Sequence, residues 1–222
     1  MVVEIMQRDT PATGIGYIIL RDCPEDRLGE ALGKGMERLK KAGAKTVLAT
    51  SLPEGEPLHN GPVGVWRLTH VHDVVRLERP LPTPKPDIKL TTRPVKRSAD
   101  EKLYLEIINH AYAGIPYARS QTQSSLRQPN HRYALAYQGE QPVGGYQLDL
   151  SEKVPQLVTL AVVPELRRQG LGRALLRTAL EGLNKAPVCA LELSTVNAAG
   201  LGLCQSEGFT QTALVSDWFE VV

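Results

Sequence analysis

The chain has 222 residues, 42% of them hydrophobic, and 26 basic against 24 acidic residues give a net charge of +2. That length carries one large or two small domains with ample core, and balanced charge without a basic run or aromatic-interleaved basic patch excludes nucleic acid as an expected partner. Three scattered cysteines, Cys23, Cys189 and Cys204, form neither a disulfide framework nor a CxxC metal site, which predicts a reducing, cytoplasmic setting.

The first residues carry Glu4 and Asp9 and no basic-then-apolar leader. The longest charge-free stretch, Leu193 to Ser206, is too short and polar to span a bilayer, so a soluble protein without a membrane partner is expected. The predicted elements begin with a strand over Gly16–Arg21, a charged amphipathic helix over Glu25–Ala42 and a strand over Thr46–Ala49. A Pro/Gly-rich loop over 51–64 follows, then strands near Val65–Leu68 and Val74–Leu77. Within the helix, Gly29-Glu30-Ala31-Leu32-Gly33-Lys34-Gly35 imitates a Walker loop. It is one residue short between its glycines and has no Ser or Thr after the lysine, so a glycine-bearing helix is the better assignment. His70-Val71-His72 sets two imidazoles on one strand face. With no third ligand nearby, a solvent- or dimer-facing strand is expected and no metal site. Pro80-Leu81-Pro82-Thr83-Pro84-Lys85-Pro86 holds four prolines in seven residues. Such a run favours an extended connector, and the domain boundary is expected there, between 1–86 and 87–222.

After the boundary, Leu103–Tyr112 has the pattern of a helix. Tyr133–Tyr137 and Pro142–Leu148 alternate as strands around the turn Gln138–Gln141. The apolar, β-branched run from Leu157 to Val163 stops at Pro164, and a glycine-bearing turn opens a helix with apolar residues at Leu171, Leu175, Ala179 and Leu183. A helix N-terminus presents unpaired amides and positive potential. Gly170 and Gly172 clear space above those amides, and Arg167, Arg168 and Arg173 add charge. The turn is therefore expected to hold a polyphosphate. A dinucleotide fingerprint does not fit it: Leu175 stands where the third glycine belongs, and Pro164–Gln169 separates strand from glycines.

Val162-Val163-Pro164-Glu165-Leu166-Arg167-Arg168-Gln169-Gly170-Leu171-Gly172 fits V-x-P-x-x-[RQ]-x-x-G-x-[GA]. It resembles the acyl-CoA pyrophosphate loop of the GNAT superfamily of N-acetyltransferases. One helix and one strand later, Asn197 through Leu203-Cys204-Gln205-Ser206-Glu207-Gly208-Phe209 resembles that family's N-x-x-A-x-x-L-Y-x-x-x-G-F. The likeness runs from about Leu90 to the C-terminus, and it implies a strand at Ala190–Ser194 before Asn197 and a closing strand pair over Thr212–Val222, turning at Ser216-Asp217. It implies an α/β (α+β) fold with a mixed, mostly antiparallel twisted sheet flanked by helices, preceded here by a small α/β region. Residues 1–86 echo the element order of half a GNAT unit, but Glu25, Asp26 and Glu30 stand where phosphate-holding arginines belong. A degenerate half-GNAT and an unrelated α/β module both remain open.

The resemblance implies acetyl-CoA as cosubstrate, held by Arg167, Arg168, Gln169, Gly170, Leu171, Gly172, Arg173, Ala174 and Asn197. In the family the strand before the loop splays from its neighbour, so that the CoA arm pairs with open backbone groups, here at Leu160, Ala161 and Val162. Glu192, on a strand among Ala190, Leu191 and Leu193, is the candidate base for an ammonium acceptor if its carboxyl lies in apolar surroundings, and a carboxylate facing solvent or holding a loop is the equal alternative. Cys204 stands where the family places a tyrosine that protonates the leaving thiolate. Tyr112, Tyr117 and Arg119 are expected to line an acceptor pocket, while His110 and His131 are expected to be packed or on the surface. The expected function is transfer of an acetyl group from acetyl-CoA to an unidentified primary amine by direct attack. A catalytically weak CoA-binding sensor or scaffold is the alternative.

Overall fold

The computed structural model describes residues 2–8, 10–52, 56–118, 121–183 and 185–222. In chain order the elements are β1 (Val2–Met6), α1 (Thr10–Thr13), β2 (Ile15–Arg21), α2 (Leu28–Lys41), β3 (Thr46–Ser51), β4 (Gly61–Val63), β5 (Trp66–Pro80) and β6 (Thr91–Pro94). Then come α3 (Ser98–Tyr112), β7 (His131–Gln138), β8 (Gln141–Asp149), β9 (Gln156–Val162), α4 (Leu171–Glu181), β10 (Val188–Ser194), α5 (Ala198–Ser206) and β11 (Thr210–Val221). By compactness the residues form two units. One holds the chain through Val75 with Ser194–Val196 and Ala213–Val222; the other holds Arg76–Leu193 and Asn197–Thr212. The proline run lies inside the second unit, which begins at Arg76 within β5.

In the first unit, β2 and β3 pair in parallel from Ile15↔Thr46 to Leu20↔Ser51, with α2 as the crossover. β1 adds antiparallel to β2, and β11 adds antiparallel to β3 at Phe219↔Ala49. The core gathers Ile18 and Leu20 of β2, Leu32, Met36 and Leu39 of α2, and Phe219 and Val221 of β11. Of the glycines that imitate a Walker loop, Gly35 serves packing. A Cβ on Gly35 would overlap the Ile18 side chain, and one on Gly16 would meet Leu39 Cδ2 at 2.6 Å. Only bare backbone allows helix and strand this close.

Three expectations are corrected here. The strands near Val65–Leu68 and Val74–Leu77 are one strand, because Thr69–Asp73 contains neither the glycine nor the proline that would break it. The closing pair over Thr212–Val222 is also one strand, since Ser216-Asp217 lacks the glycine or asparagine that a tight hairpin requires. The imidazoles of His70 and His72 do not share an environment. His70 is exposed and pairs with Asp73 at 2.7 Å, whereas His72 is 6% exposed and stacks on Trp218.

In the second unit the strand order runs from the end of β5 through β10, β9, β8 and β7 to β6. β7, β8 and β9 form antiparallel ladders, and β9 and β10 are parallel with α4 as the crossover. Gly144 and Gly145 of β8 show how the helices flank the sheet. A side chain on Gly145 would press on Tyr104 of α3, and one on Gly144 would press on Leu175 of α4, so the helices cover opposite faces. Tyr104, Ile107, Ile108, Tyr133, Leu135 and Ala161 fill the α3 side. Among the described residues, no helix is long and apolar enough to cross a membrane.

Candidate active site

β9 sets the geometry. It pairs fully with β8, but among the described residues it meets β10 at a single position, Ala190↔Gln156, at its first residue. The parallel neighbours therefore separate along the remainder of β9. Val163 N donates to Val143 O at 3.0 Å, which fixes the alternation of the ladder. With a period of two, Ala161 turns its backbone groups to β8, while Leu160 and Val162 turn theirs to the open edge. Both open-edge carbonyls have side-chain donors. Tyr112 Oη donates to Leu160 O at 3.3 Å, and Arg167 Nε donates to Val162 O at 3.3 Å.

The loop leaves this edge through a short 3-10 turn at Pro164–Leu166. Arg168 and Gly170 are both left-handed, with φ of 64° and 81°. Gly170 is the N-cap of α4, and its carbonyl accepts from Ala174 N. The first-turn amides of Leu171, Gly172 and Arg173 consequently have no earlier intrahelical acceptor. Arg168, Gln169 and Gly170 are exposed, whereas Leu171 and Ala174 are buried, so these last two contribute backbone alone.

The arginines divide the work unequally. Arg167 Nη2 donates to Ala111 O at 2.6 Å, so its guanidinium braces the end of α3 against the loop instead of reaching out as a phosphate clamp. Arg173 Nε lies 2.8 Å from Glu207 Oε1. Glu207 also receives Arg177 Nε at 2.8 Å and Nη2 at 3.0 Å, and Arg79 Nη1 lies 3.6 Å away. Arg177 Nη1 further holds Asp87 and the carbonyl of Lys85, which fastens the proline-rich connector to α4. Glu207 lies within a stretch matched for other residues, and nothing in the sequence marked it. The faint signal was Arg173 and Arg177, one turn apart on one helix face.

Glu192 takes the solvent-facing alternative. It is exposed, and Arg76 Nη1 lies 4.0 Å from its carboxylate. β10 is buried on both faces at Cys189, Ala190 and Leu191, and exposure begins at Glu192, where the strand leaves the packed part of the sheet, so apolar neighbours in sequence do not enclose the carboxyl in space. Asn197 caps α5, with Oδ1 accepting from Gly200 N at 3.0 Å. Cys204 on α5 is buried, and burial pushes its thiol up to about 11. It lies close enough to Tyr112 for its charge to bear on that phenol, whose ionisation burial also pushes up.

On the α3 side a polar chain runs beneath the sheet. Gln121 Nε2 donates to Thr159 Oγ1 at 2.8 Å, Gln147 Nε2 meets His131 Nδ1 at 2.8 Å, and His131 Nε2 pairs with Asp149 at 3.3 Å. His131 is thereby packed, while His110 is exposed beside Glu165. Arg119 lies outside the described residues.

Residues 129–211 match the family model described as an acetyltransferase (GNAT) domain. That segment is similar to a GNAT domain. Over 65 residues the chain is 38% identical to the [Ribosomal protein bS18]-alanine N-acetyltransferase of Escherichia coli strain K12, a match covering 28% of this chain and 44% of that relative. The chain thus spans less than half the length of the curated relative. In fold it is similar to a GCN5-related N-acetyltransferase from Sphaerobacter thermophilus, with a TM-score of 0.62, 14% identity, and 99% of this chain and 74% of that chain covered. A GCN5-related N-acetyltransferase from Kribbella flavida gives a TM-score of 0.55 at 16% identity, over 93% and 80% of the two chains. The GNAT assignment and the mixed, mostly antiparallel sheet flanked by helices both stand.

Proposed function

We propose that the chain transfers an acetyl group from acetyl-CoA to a primary amine by direct attack. The observation that carries this reading is the open edge of β9 leading straight into the left-handed turn at Arg168 and Gly170. Acetyl-CoA supplies the activated thioester. The first-turn amides of α4 and the exposed Arg168 and Gln169 receive its pyrophosphate, and the bare Cα of Gly170 leaves the approach clear. The open-edge N–H groups of Leu160 and Val162 point where the arm and the thioester carbonyl run, and they stabilise negative charge developing on that oxygen. Glu192, exposed and directed outward, takes the ammonium proton through water. Three free, buried cysteines support a cytoplasmic setting.

Isothermal calorimetry with acetyl-CoA, followed by thiol release over an amine panel that includes an alanine-terminal peptide, tests the reading. Gly170→Glu should abolish binding in a folded chain, since it places a carboxylate beside the pyrophosphate. Glu192→Gln should lower turnover about 10²-fold or more with acetyl-CoA affinity unchanged. The exposed Glu192 and the weakly acidic Cys204 favour one other reading, a CoA-binding sensor. Tight acetyl-CoA binding without thiol release on any amine would establish that reading in place of the enzyme.

A further inference from the structure

Acyl transfer from a thioester expels sulfur as a thiolate, and a neutral product requires a proton donor at that point. Two groups lie near the open edge of β9. Cys204 is a poor donor because its side chain is short and S–H is a weak donor. Tyr112 projects from the last residue of α3 with its hydroxyl already at the edge, 3.3 Å from Leu160 O. That separation is long for an O–H···O bond, whose usual distance is about 2.7–2.8 Å. The hydroxyl is weakly held there and can turn to a better acceptor at little cost. Its placement is fixed from behind: Arg167 joins Ala111 O to Val162 O, tying the end of α3 to the same edge.

We infer that Tyr112 is the proton donor to the departing thiolate. The inference rests on the acetyl-transfer reading above. As the acceptor nitrogen bonds to the acetyl carbon, the C–S bond breaks and its electron pair leaves on sulfur. The Tyr112 O–H proton moves to that sulfur and gives the free thiol. The phenolate then recovers a proton from water, which carries the proton released by the acceptor nitrogen. The acceptor ammonium loses two protons in all, one ending on sulfur and one in solvent.

The test uses the full chain with CoA and follows thiolate absorbance of the bound thiol against pH. A hydrogen bond to a charged acceptor lowers the bound thiol's titration by about one to two pH units. The wild type should therefore titrate at least about one pH unit below Tyr112→Phe. Turnover in Tyr112→Phe should fall about 10²-fold with acetyl-CoA affinity unchanged, and Tyr112→Phe with Cys204→Tyr should regain part of it. Tyr112→Met, a second donor-free side chain, serves if the phenylalanine variant misfolds. Equal titrations in wild type and variant, or undiminished turnover, would overturn the assignment of Tyr112 alone. A folded wild type that binds no CoA would instead overturn the acetyl-transfer reading, and this inference with it.

Discussion

Glu207→Gln tests whether the buried carboxylate is the fastening of the domain or a bystander. The Glu207 side chain is 3% exposed, and those of Arg79 and Arg177 are 13% and 14% exposed, while that of Arg173 is 48% exposed. The two buried arginines therefore dominate the energetics, since a half-exposed pair contributes about 0–1 kcal/mol. Glutamine keeps the shape and removes the charge. It also turns an amide N–H₂ toward guanidinium donors, so Arg79 loses its counter-charge and Arg177 keeps only the exposed Asp87, while their burial is unchanged. Breaking one side of a buried pair costs about 3–5 kcal/mol. At roughly 2–4 °C per kcal/mol for a chain of this size, Tm should fall by roughly 6–20 °C. The deficit should persist in 1 M salt, because buried pairs are poorly screened. Thermal melts of wild type, Glu207→Gln and Arg173→Ala decide it. A Glu207→Gln loss no larger than that of Arg173→Ala would refute the reasoning and make the cluster a surface feature.

Gly144→Ala should cost about 1–3 kcal/mol, because the new methyl overlaps the carbonyl oxygen of Ala161 and crowds Leu175, forcing β8 from β9; urea unfolding measures it, and an unchanged midpoint would show that the strands yield freely. Burial holds the ionisation of His72 below its ordinary value. The unfolded chain therefore binds the proton first, and stability should be full above about pH 6.5 and decline as pH falls toward the folded value. His72→Phe, which keeps a ring against Trp218, should flatten that decline, and an unaltered pH profile would remove His72 as its cause.

The loop and the helix after it were legible because their chemistry is local. A strand ending at Pro164, glycines at 170 and 172 and the apolar stripe of α4 are each set by neighbours within a turn or two, and the structure keeps them in place. The splay of β9 was not legible in any side chain, because it is a relation between two strands; it entered as an implication of family resemblance. The bracing by Arg167 was hidden in the sequence for a related reason. A motif supplies a positive charge at a position, but only the fold supplies the carbonyl of Ala111, 56 positions away in sequence, that occupies it.

Glu192 and Tyr112 carry the same lesson in opposite directions. Glu192 was singled out by its chain neighbours Leu191 and Leu193, yet exposure on β10 begins at Glu192, and its carboxyl faces outward beside Arg76. Tyr112 looked like one of several aromatic residues near an acceptor loop. Its significance comes from Leu160, 48 positions away, whose carbonyl is exposed only because β9 leaves its parallel partner. Wherever β9 and β10 remained paired, Leu160 O would be satisfied within the sheet and the tyrosine hydroxyl would have nothing to meet. The same separation that opens an edge for a thioester arm also draws the hydroxyl of α3 to it. In this chain, opening the sheet and placing a donor there are one structural event.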